Sequence, residues 1–217
     1  MEVGKPIKQN LIQVVMNDTQ IQNTIILNTI KMLYSRGIID ESHIDMYSTV
    51  AQSRIDQNDE TWFELSDEEM NVIGSKIIRI KFILNRKITT IKKVIDIETF
   101  MGLTDYKFVI VQNITPKAVK QITEYKNTEL FYANEQKINL IDHILVPKHT
   151  KLNPIEREQF IESYKLSEKN LQRICMDDPI SRYYNLQVGD IVRIERPSLT
   201  SGISVSYRIV YNGSIYK

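Results

Sequence analysis

Residues 106–120 read YKFVIVQNITPKAVK, and this stretch decides the fold of the first half of the chain. Its opening residues are rich in β-branched and aromatic side chains, which predicts a strand over 106–112. Thr115 is a good helix N-cap and Pro116 fits the first helical position, so we predict a helix from there to Tyr125. The stretch therefore encodes a strand that turns directly into a helix.

The same alternation of strand and helix continues on both sides of this stretch. Upstream, residues 76–84 alternate apolar and basic side chains, which predicts a half-buried strand. A short helix capped by Thr89 or Thr90 is predicted to run to Phe100. Downstream, 130–133 predicts a short third strand. Strands that alternate with helices indicate an α/β layer with parallel strand pairs.

A helix and an acidic segment precede this layer. Apolar residues recur at helical spacing over 20–36, and Gly37 stands where a helix usually ends. The segment 40–69 holds ten acidic residues and one basic residue, whereas 76–93 holds seven basic residues and no acidic one. The acidic segment shows no clean periodicity, so we assign it no element.

The last third of the chain follows a different pattern. A helix is predicted over 154–164 and a short one from Pro179, each behind an Asn or Asp that can cap it. Two strands follow, over 190–196 and 204–211. Their linker, 197–202, is too long for a tight hairpin and suits a short loop that leaves the sheet.

These patterns predict two domains. The first is an α/β N-terminal domain over 1–142, with a nuclease-like layer, and the second is a small α+β C-terminal domain over 143–217. The 217 residues carry 28 Lys and Arg against 27 Asp and Glu, a formal net charge of +1. Such a balance argues against a protein that binds nucleic acid over its whole surface.

Few residues are of the kinds that build catalytic or metal sites. One cysteine, Cys175, excludes an intramolecular disulfide and a four-cysteine zinc site. With 7 glycines, no phosphate-binding loop motif occurs. His143 and His149 flank a strand-like spacer that, if extended, would hold them roughly 20 Å apart, so they could not share a zinc ion without a sharp turn. We predict no catalytic residue, no metal site and no cofactor, and without an apolar run of ~20 residues no membrane partner.

One group of charged residues allows a catalytic hypothesis. Asp96, Glu98, Asp105 and Lys107 loosely resemble the layout of metal-dependent nucleases, in which acids hold Mg²⁺ and a lysine activates water. Asp105 and Lys107 would share one face of a strand. The pattern is short and frequent by chance, and Asp96 falls inside a predicted helix, so we favour surface charges.

The basic residues also allow two interpretations. Arg79 and Lys81 alternate with apolar residues, which favours a solvated sheet face, and a phosphate-facing patch is the alternative. At Thr115, the predicted helix N-terminus offers free N–H groups and the positive end of the helix dipole. Lys117 and Lys120 would add positive charge there. This end of the helix suits a phosphate, but the same residues also make an ordinary helix cap.

Four blocks of the C-terminal domain resemble a single family, at the family's own spacing. They are HILVPKH (143–149), LQRICMDDPISRYYNL (171–186), GDIVRIERPSLTSG (189–202) and SYRIV (206–210). The C-terminal domain resembles the assembly domain of the RNA polymerase fifth subunit, a eukaryotic family with an archaeal counterpart. More faintly, the block VQNITPKAVK (111–120) is similar to the jaw domain of the eukaryotic members.

The resemblance implies a non-catalytic subunit of a DNA-directed RNA polymerase. The C-terminal domain would dock on the largest polymerase subunit, among the other subunits, and the N-terminal domain would form part of the lower jaw near downstream double-stranded DNA. The DNA-proximal residues would be Thr115, Pro116, Lys117, Ala118 and Lys120. The docking residues would be Arg173, Asp178, Pro179, Arg182, Tyr183, Arg196, Ser198, Thr200, Tyr207 and Arg208.

Two other functions remain open beside this one. The first is the metal-dependent nuclease, and the second is an adaptor that uses only the assembly domain to bind a host polymerase. The intact block at 111–120 disfavours the adaptor, which needs no DNA-facing loop. The isoleucine-rich sequence also suggests an A+T-rich source such as a large DNA virus. The predicted location is intracellular: the nucleus of a eukaryote, or a viral factory and the virion.

Overall fold

The computed structural model describes residues 17–56, 63–66, 77–91, 95–164 and 170–213. These residues form two sheets of four strands each, one in each predicted domain. The predicted combination of an α/β N-terminal domain and a small α+β C-terminal domain is confirmed. The boundary near residue 142 stays a prediction.

The sheet of the N-terminal domain has its strands in chain order. They are β1 (Phe63–Ser66), β2 (Ile77–Ile88), β3 (Tyr106–Ile114) and β4 (Thr128–Tyr132). Strands β2, β3 and β4 run parallel, and β1 adds to β2 in the antiparallel direction. The predicted parallel pairing is therefore confirmed, whereas the edge strand β1 was not predicted.

Helices cover both faces of this sheet. They are α1 (Asp18–Ser35), α2 (Ile44–Asp56), α3 (Ile95–Met101) and α4 (Pro116–Thr123). Helices α1 and α2 bury their apolar residues on one face of the sheet, and α3 and α4 do so on the other. Because both faces are covered, β2 is buried on both sides, and the prediction of a half-buried strand is wrong.

The bounds of the helices match the sequence prediction where local signals are strong. Helix α1 ends where predicted, since Gly37 adopts a φ of 70°, a conformation that glycine accepts at little cost. Helix α2 lies in the acidic segment to which no element was assigned. Helix α3 begins at Ile95 instead of Thr89 or Thr90. The carbonyl of Thr89 instead accepts a hydrogen bond from the Thr115 hydroxyl, at 2.8 Å.

The described residues of the C-terminal domain form strands and helices in a mixed order. They are β5 (Lys148–Lys151), α5 (Pro154–Tyr164), β6 (Gln172–Cys175), α6 (Pro179–Tyr183), β7 (Ile191–Ser198) and β8 (Gly202–Tyr211). The sheet order is β5-β7-β8-β6, with β6 parallel to β8 and the other pairs antiparallel. The short strands β5 and β6 were not predicted, because four mostly polar residues give no clear alternation.

Two local predictions in this domain are wrong. Strands β7 and β8 extend until Ser198 pairs with Gly202, so their connection is a three-residue hairpin loop. Gly202 makes this loop possible with a φ of 71°. The spacer after His143 is a turn closed by a hydrogen bond from the Val146 amide to the His143 carbonyl, at 2.8 Å, and is not an extended strand.

Across the ranges that the structure describes, no helix combines the length and apolar character that a membrane span requires.

Candidate functional site

The first candidate site is the N-terminus of α4, where the DNA-proximal residues cluster. Thr115 lies between β3 and α4 and forms hydrogen bonds to both β2 and α4. Its amide donates to the Ile88 carbonyl of β2 at 3.0 Å, and its hydroxyl oxygen accepts from the Ala118 amide of α4 at 3.4 Å. Pro116 occupies the first turn, where a missing N–H costs nothing. The predicted strand, cap and helix are confirmed, and the loop between them is held by main-chain contacts to β2.

These five residues differ in whether a partner can reach them. Pro116, Lys117 and Lys120 are exposed, Thr115 is half-buried, and Ala118 is fully buried in the core under α4. No acidic residue lies in the first turn of α4. Lys117 and the positive end of the helix dipole therefore give this end of α4 a local positive potential, whereas Lys120 lies in the last turn of the helix.

The four residues of the nuclease hypothesis do not meet at one point. Asp96 and Glu98 are exposed on α3, whereas the Asp105 carboxylate lies 3.1 Å from Arg79 Nε in an ion pair. Lys107 is buried under α3, and its ammonium group donates to the main-chain carbonyls of Met101 at 3.0 Å and of Leu103. These contacts satisfy carbonyls at the C-terminal end of α3.

The charged groups around Lys107 affect the pKa of its ammonium group in opposite directions. Burial lowers the pKa of the Lys107 ammonium, the nearby Asp105 carboxylate acts in the opposite direction, and Arg79 lowers the pKa further. Among the described residues there is no group of three or more His, Cys, Asp or Glu side chains placed to hold a metal ion. The geometry gives the nuclease hypothesis no support.

The basic residues of β2 contradict both interpretations of the sequence. Lys81 is fully buried, with its ammonium nitrogen 5.8 Å from the centre of the Phe100 ring. Arg79 forms ion pairs with Asp105 and with Glu64, the latter at 3.4 Å. Helix α3 covers this face of the sheet, so Arg79 and Lys81 belong neither to a solvated sheet face nor to a phosphate-facing patch.

The second candidate site is the junction between the two domains, and Arg36 is its centre. The guanidinium group donates two hydrogen bonds to the Glu129 carboxylate, at 2.8 and 2.9 Å. It donates two more to the main-chain carbonyls of Tyr183 and Arg182, each at 2.8 Å. Its carbon lies 5.3 Å from the centre of the Phe108 ring. The Arg36 guanidinium group is therefore hydrogen-bonded to residues of both domains.

Arg182 and Tyr183 complete the junction from the side of α6. Arg182 donates to the Glu135 carboxylate and to the Leu130 carbonyl, each at 2.8 Å. Tyr183 is buried within the core formed by α1, α2 and the first sheet, and its hydroxyl donates to Ser35 Oγ at 3.2 Å. Burial raises the pKa of the Tyr183 hydroxyl. Two residues of the predicted docking set thus contact the N-terminal domain of the same chain.

A tyrosine on β3 links this network to the second domain. The Tyr106 hydroxyl donates to the Glu129 carboxylate at 2.6 Å and accepts from the Asn185 side-chain amide at 3.2 Å. Burial raises the pKa of this hydroxyl, and the Glu129 carboxylate adds to the effect. Sequence reasoning did not identify Arg36, Glu129 or Tyr106, because nothing in their local sequence marks them.

Comparison with known proteins assigns the second domain to a family. Residues 138–210 match the family described as RNA polymerase Rpb5, C-terminal domain. These residues are therefore similar to the Rpb5 C-terminal domain, and we call this part of the chain the Rpb5 domain. The resemblance of the four sequence blocks is thereby confirmed.

Relatives named as polymerase subunits extend the similarity beyond this domain. The "DNA-directed RNA polymerases I, II, and III subunit rpabc1" of Dictyostelium discoideum is 38% identical over 127 residues, 56% of this chain and 64% of the relative. The RPABC1 subunits of Caenorhabditis elegans and Caenorhabditis briggsae are each 32% identical over 126 residues, 57% of this chain and 60% of the relative. The chain spans less than two thirds of the length of these relatives.

The aligned length is greater than 138–210, and few residues follow Val210, so the similarity includes part of the N-terminal domain. The similarity to these subunits is therefore not confined to residues 138–210.

Apart from Arg182 and Tyr183, the predicted docking residues of the Rpb5 domain fall into two classes. Some support the fold: Asp178 caps α6 by accepting from the Ile180 amide at 2.9 Å, and the Tyr207 ring lies 4.2 Å from the Phe160 ring. The others are at least partly accessible to a partner, and these are Arg173, Pro179, Arg196, Ser198, Thr200 and Arg208. Whether they dock stays a prediction.

Proposed function

We propose that this chain is a non-catalytic subunit of a DNA-directed RNA polymerase. The observation that carries the proposal is the match of residues 138–210 to the Rpb5 C-terminal domain. Relatives that are 32–38% identical over about 56–57% of this chain are named as subunits of RNA polymerases I, II and III. The chain would work where its polymerase works, in a nucleus or in a viral factory.

In this proposal, the Rpb5 domain docks on the largest polymerase subunit. Exposed residues on its sheet, such as Arg173 and Arg196, are available for contacts with other subunits. Arg182 and Tyr183 have a different task, because their side chains hold the N-terminal domain. The docked domain then sets the position of the N-terminal domain through this junction.

The N-terminal domain acts as part of the lower jaw near downstream double-stranded DNA. Support for this role comes from the exposed Lys117 at the N-terminus of α4, where free N–H groups and positive charge suit a phosphate, and from the exposed Lys120 one turn further along the helix. Ala118 and Thr115 stabilise this loop, because Ala118 is buried in the core and Thr115 caps the helix. Phosphate contacts of this kind position a duplex without reading its sequence.

The subunit assignment is tested by purifying a tagged copy of the full chain from the cells in which it is naturally made. We expect polymerase subunits, including the largest, to co-purify with it, with one copy of this chain per polymerase as measured by quantitative mass spectrometry. A purification that recovers no polymerase subunit would refute the assignment. A substoichiometric copy number would favour the adaptor instead.

The DNA contact is tested by replacing Lys117 and Lys120 together with alanine. We expect the grip on downstream duplex to weaken by about 0.5–1 kcal/mol per lysine, because each is an exposed charge. The slope of log K against log salt concentration should fall by about 2, one for each phosphate that no longer has a lysine partner. The measurement is dissociation of duplex from the assembled polymerase over a range of salt concentrations.

A matched control for this pair is Lys126→Ala, which removes an exposed lysine beyond the opposite end of α4. This variant should keep the salt dependence of the wild-type chain. An unchanged slope in the Lys117 and Lys120 double variant would contradict a phosphate contact at the N-terminus of α4.

A further inference from the structure

A polar cleft opens in the N-terminal domain, at the edge of the sheet where the parallel strands β2, β3 and β4 reach their carboxyl ends. Its volume is about 420 Å³, and the first two turns of α1 contribute to its lining. In open α/β sheets, small molecules bind in crevices outside the carboxyl ends of the strands. The residues that line this cleft belong neither to the DNA-proximal set nor to the docking set.

Two irregularities of the sheet create the cleft, and the first is the early end of β4. Strand β3 pairs with β2 as far as Ile114, whereas its pairing with β4 ends at Val111. After β4 the chain turns into a short 3-10 helix, Glu135–Lys137. In the described part of the chain, no strand therefore continues beside the end of β3 on this side, and the cleft occupies that space.

The second irregularity is a bulge in β2, where the register with β3 shifts between Ile83 and Lys87. A regular strand would place positions 83 and 88 on opposite faces, yet Ile83 and Ile88 are both buried under α3 and α4. The bulge has thus reversed the alternation, and Lys87 faces the side of α1. A hydrogen bond from Gln22 Nε2 to Asn85 Oδ1, at 3.0 Å, ties the bulge to α1.

The lining of the cleft carries an excess of positive charge. The described residues that line it include three cationic side chains, Arg86, Lys87 and Lys137, and one acidic side chain, Asp18. Neither lysine forms an ion pair with any residue that the structure describes. The nearby Glu135 carboxylate instead pairs with an arginine of α6, at 2.8 Å. Such a cleft complements an anionic ligand, and lysine is a common ligand of phosphate.

Neutral side chains beside these charges offer a second kind of contact. Val111 is buried under α3 and α4, so its neighbour Gln112 faces the side of α1 and lines the cleft. The exposed Gln112 amide can donate and accept hydrogen bonds together, which matches the edge of a nucleobase. Ile21 of α1 is half-buried in the same lining and offers an apolar surface on which a flat base can pack.

We propose that this cleft binds a nucleoside polyphosphate. Lys87 and Lys137 bind the phosphates, and the base packs on Ile21 with its edge hydrogen-bonded to Gln112. The volume of the cleft suits one such molecule. A DNA duplex would use the two lysines alone, so the neutral residues distinguish a nucleotide from a duplex.

The test is isothermal titration calorimetry of the full chain with ATP, and with tripolyphosphate as a matched ligand that lacks the base. We expect ATP to bind at least about fivefold more tightly than tripolyphosphate, because it adds the contacts of the base. Replacing Lys87 and Lys137 together with alanine should weaken ATP binding about tenfold, since two charge-assisted contacts are lost. The matched control, Lys126→Ala, removes an exposed lysine at the opposite edge of the sheet and should bind ATP like the wild-type chain.

The variant Gln112→Leu separates recognition of the base from recognition of the phosphates. It keeps both lysines, so its affinity for tripolyphosphate should equal that of the wild-type chain. Its affinity for ATP should fall about fivefold, because the base loses its hydrogen-bond partner. All of these variants change exposed positions, and their circular dichroism and thermal midpoints should match those of the wild-type chain.

Each contrary outcome would overturn the proposal in a distinct way. Absence of ATP binding by the wild-type chain removes the site, and equal affinities for ATP and tripolyphosphate show a site for phosphate alone. Unchanged ATP binding in the Lys87 and Lys137 variant places the nucleotide elsewhere. Displacement of ATP by a short DNA duplex assigns the cleft to the DNA surface. The subunit assignment stands in all four cases, because the test involves no other polymerase subunit.

Discussion

Replacing Arg36 with alanine is expected to lower the free energy of unfolding by about 3–5 kcal/mol, which is the usual cost of removing one partner of a buried ion pair. The Arg36 side chain is 5% exposed and the Glu129 side chain 17% exposed, so solvent replaces only a small part of the interaction that the remaining carboxylate loses. The carbonyls of Arg182 and Tyr183 also lose their hydrogen bonds. Denaturant unfolding of the full chain, followed by circular dichroism, measures the change.

Two control variants make this prediction specific to the junction. Arg173→Ala removes an exposed arginine from β6 and should change the stability by less than about 1 kcal/mol. Arg36→Met combined with Glu129→Leu should be more stable than Arg36→Ala, because no unpaired carboxylate remains buried. A loss below about 1 kcal/mol in Arg36→Ala would show that the junction contributes little to stability.

The second large effect is expected for Tyr183→Ala, at about 3–5 kcal/mol, by analogy with other large aromatic residues removed from a core. Tyr183 is carried by α6 of the Rpb5 domain but is buried in the core of the N-terminal domain. Its loss leaves a cavity at the contact between the domains. Thermal unfolding followed by calorimetry should show a lower midpoint and two separate transitions in place of one.

The conservative variant Tyr183→Phe distinguishes packing from hydrogen bonding. The single hydroxyl hydrogen has two acceptors within reach, Ser35 Oγ at 3.2 Å and Asn139 Oδ1 at 3.4 Å, so its removal should cost only about 1 kcal/mol. Tyr164→Ala, at a tyrosine that is mostly exposed on α5, should cost about as little. Equal losses in Tyr183→Ala and Tyr164→Ala would contradict the role of Tyr183 as a core residue.

Local signals in the sequence predicted the elements that local interactions form. Thr115 and Asp178 cap helices whose first residues are prolines, and each cap depends on atoms within three residues of it. The strands β2 and β3 were recognisable from their β-branched residues, and their parallel pairing followed from the intervening helix. Such features require no knowledge of the rest of the fold.

The wrong and missing predictions concern contacts between residues distant in sequence. Lys81 and Lys107 are buried because α3 packs on their face of the sheet. An alternation of apolar and basic residues in one strand cannot predict which helix will pack on that strand. Arg36 is 93 residues from Glu129 and 147 from Tyr183. The family resemblance located the Rpb5 domain, but it could not tell that Arg182 and Tyr183 face the chain's own N-terminal domain.

The hydrogen bonds of Arg36 to α6 have an evolutionary consequence. The guanidinium group binds the main-chain carbonyls of Arg182 and Tyr183, and it does not depend on the side chain at position 182. Substitutions at position 182 would remove the hydrogen bonds with Glu135 and Leu130 and leave these two bonds in place. The two hydrogen bonds of Arg36 to α6 are therefore insensitive to the residue at position 182. A lysine at position 36, in contrast, could not reproduce the four hydrogen bonds of the planar guanidinium group.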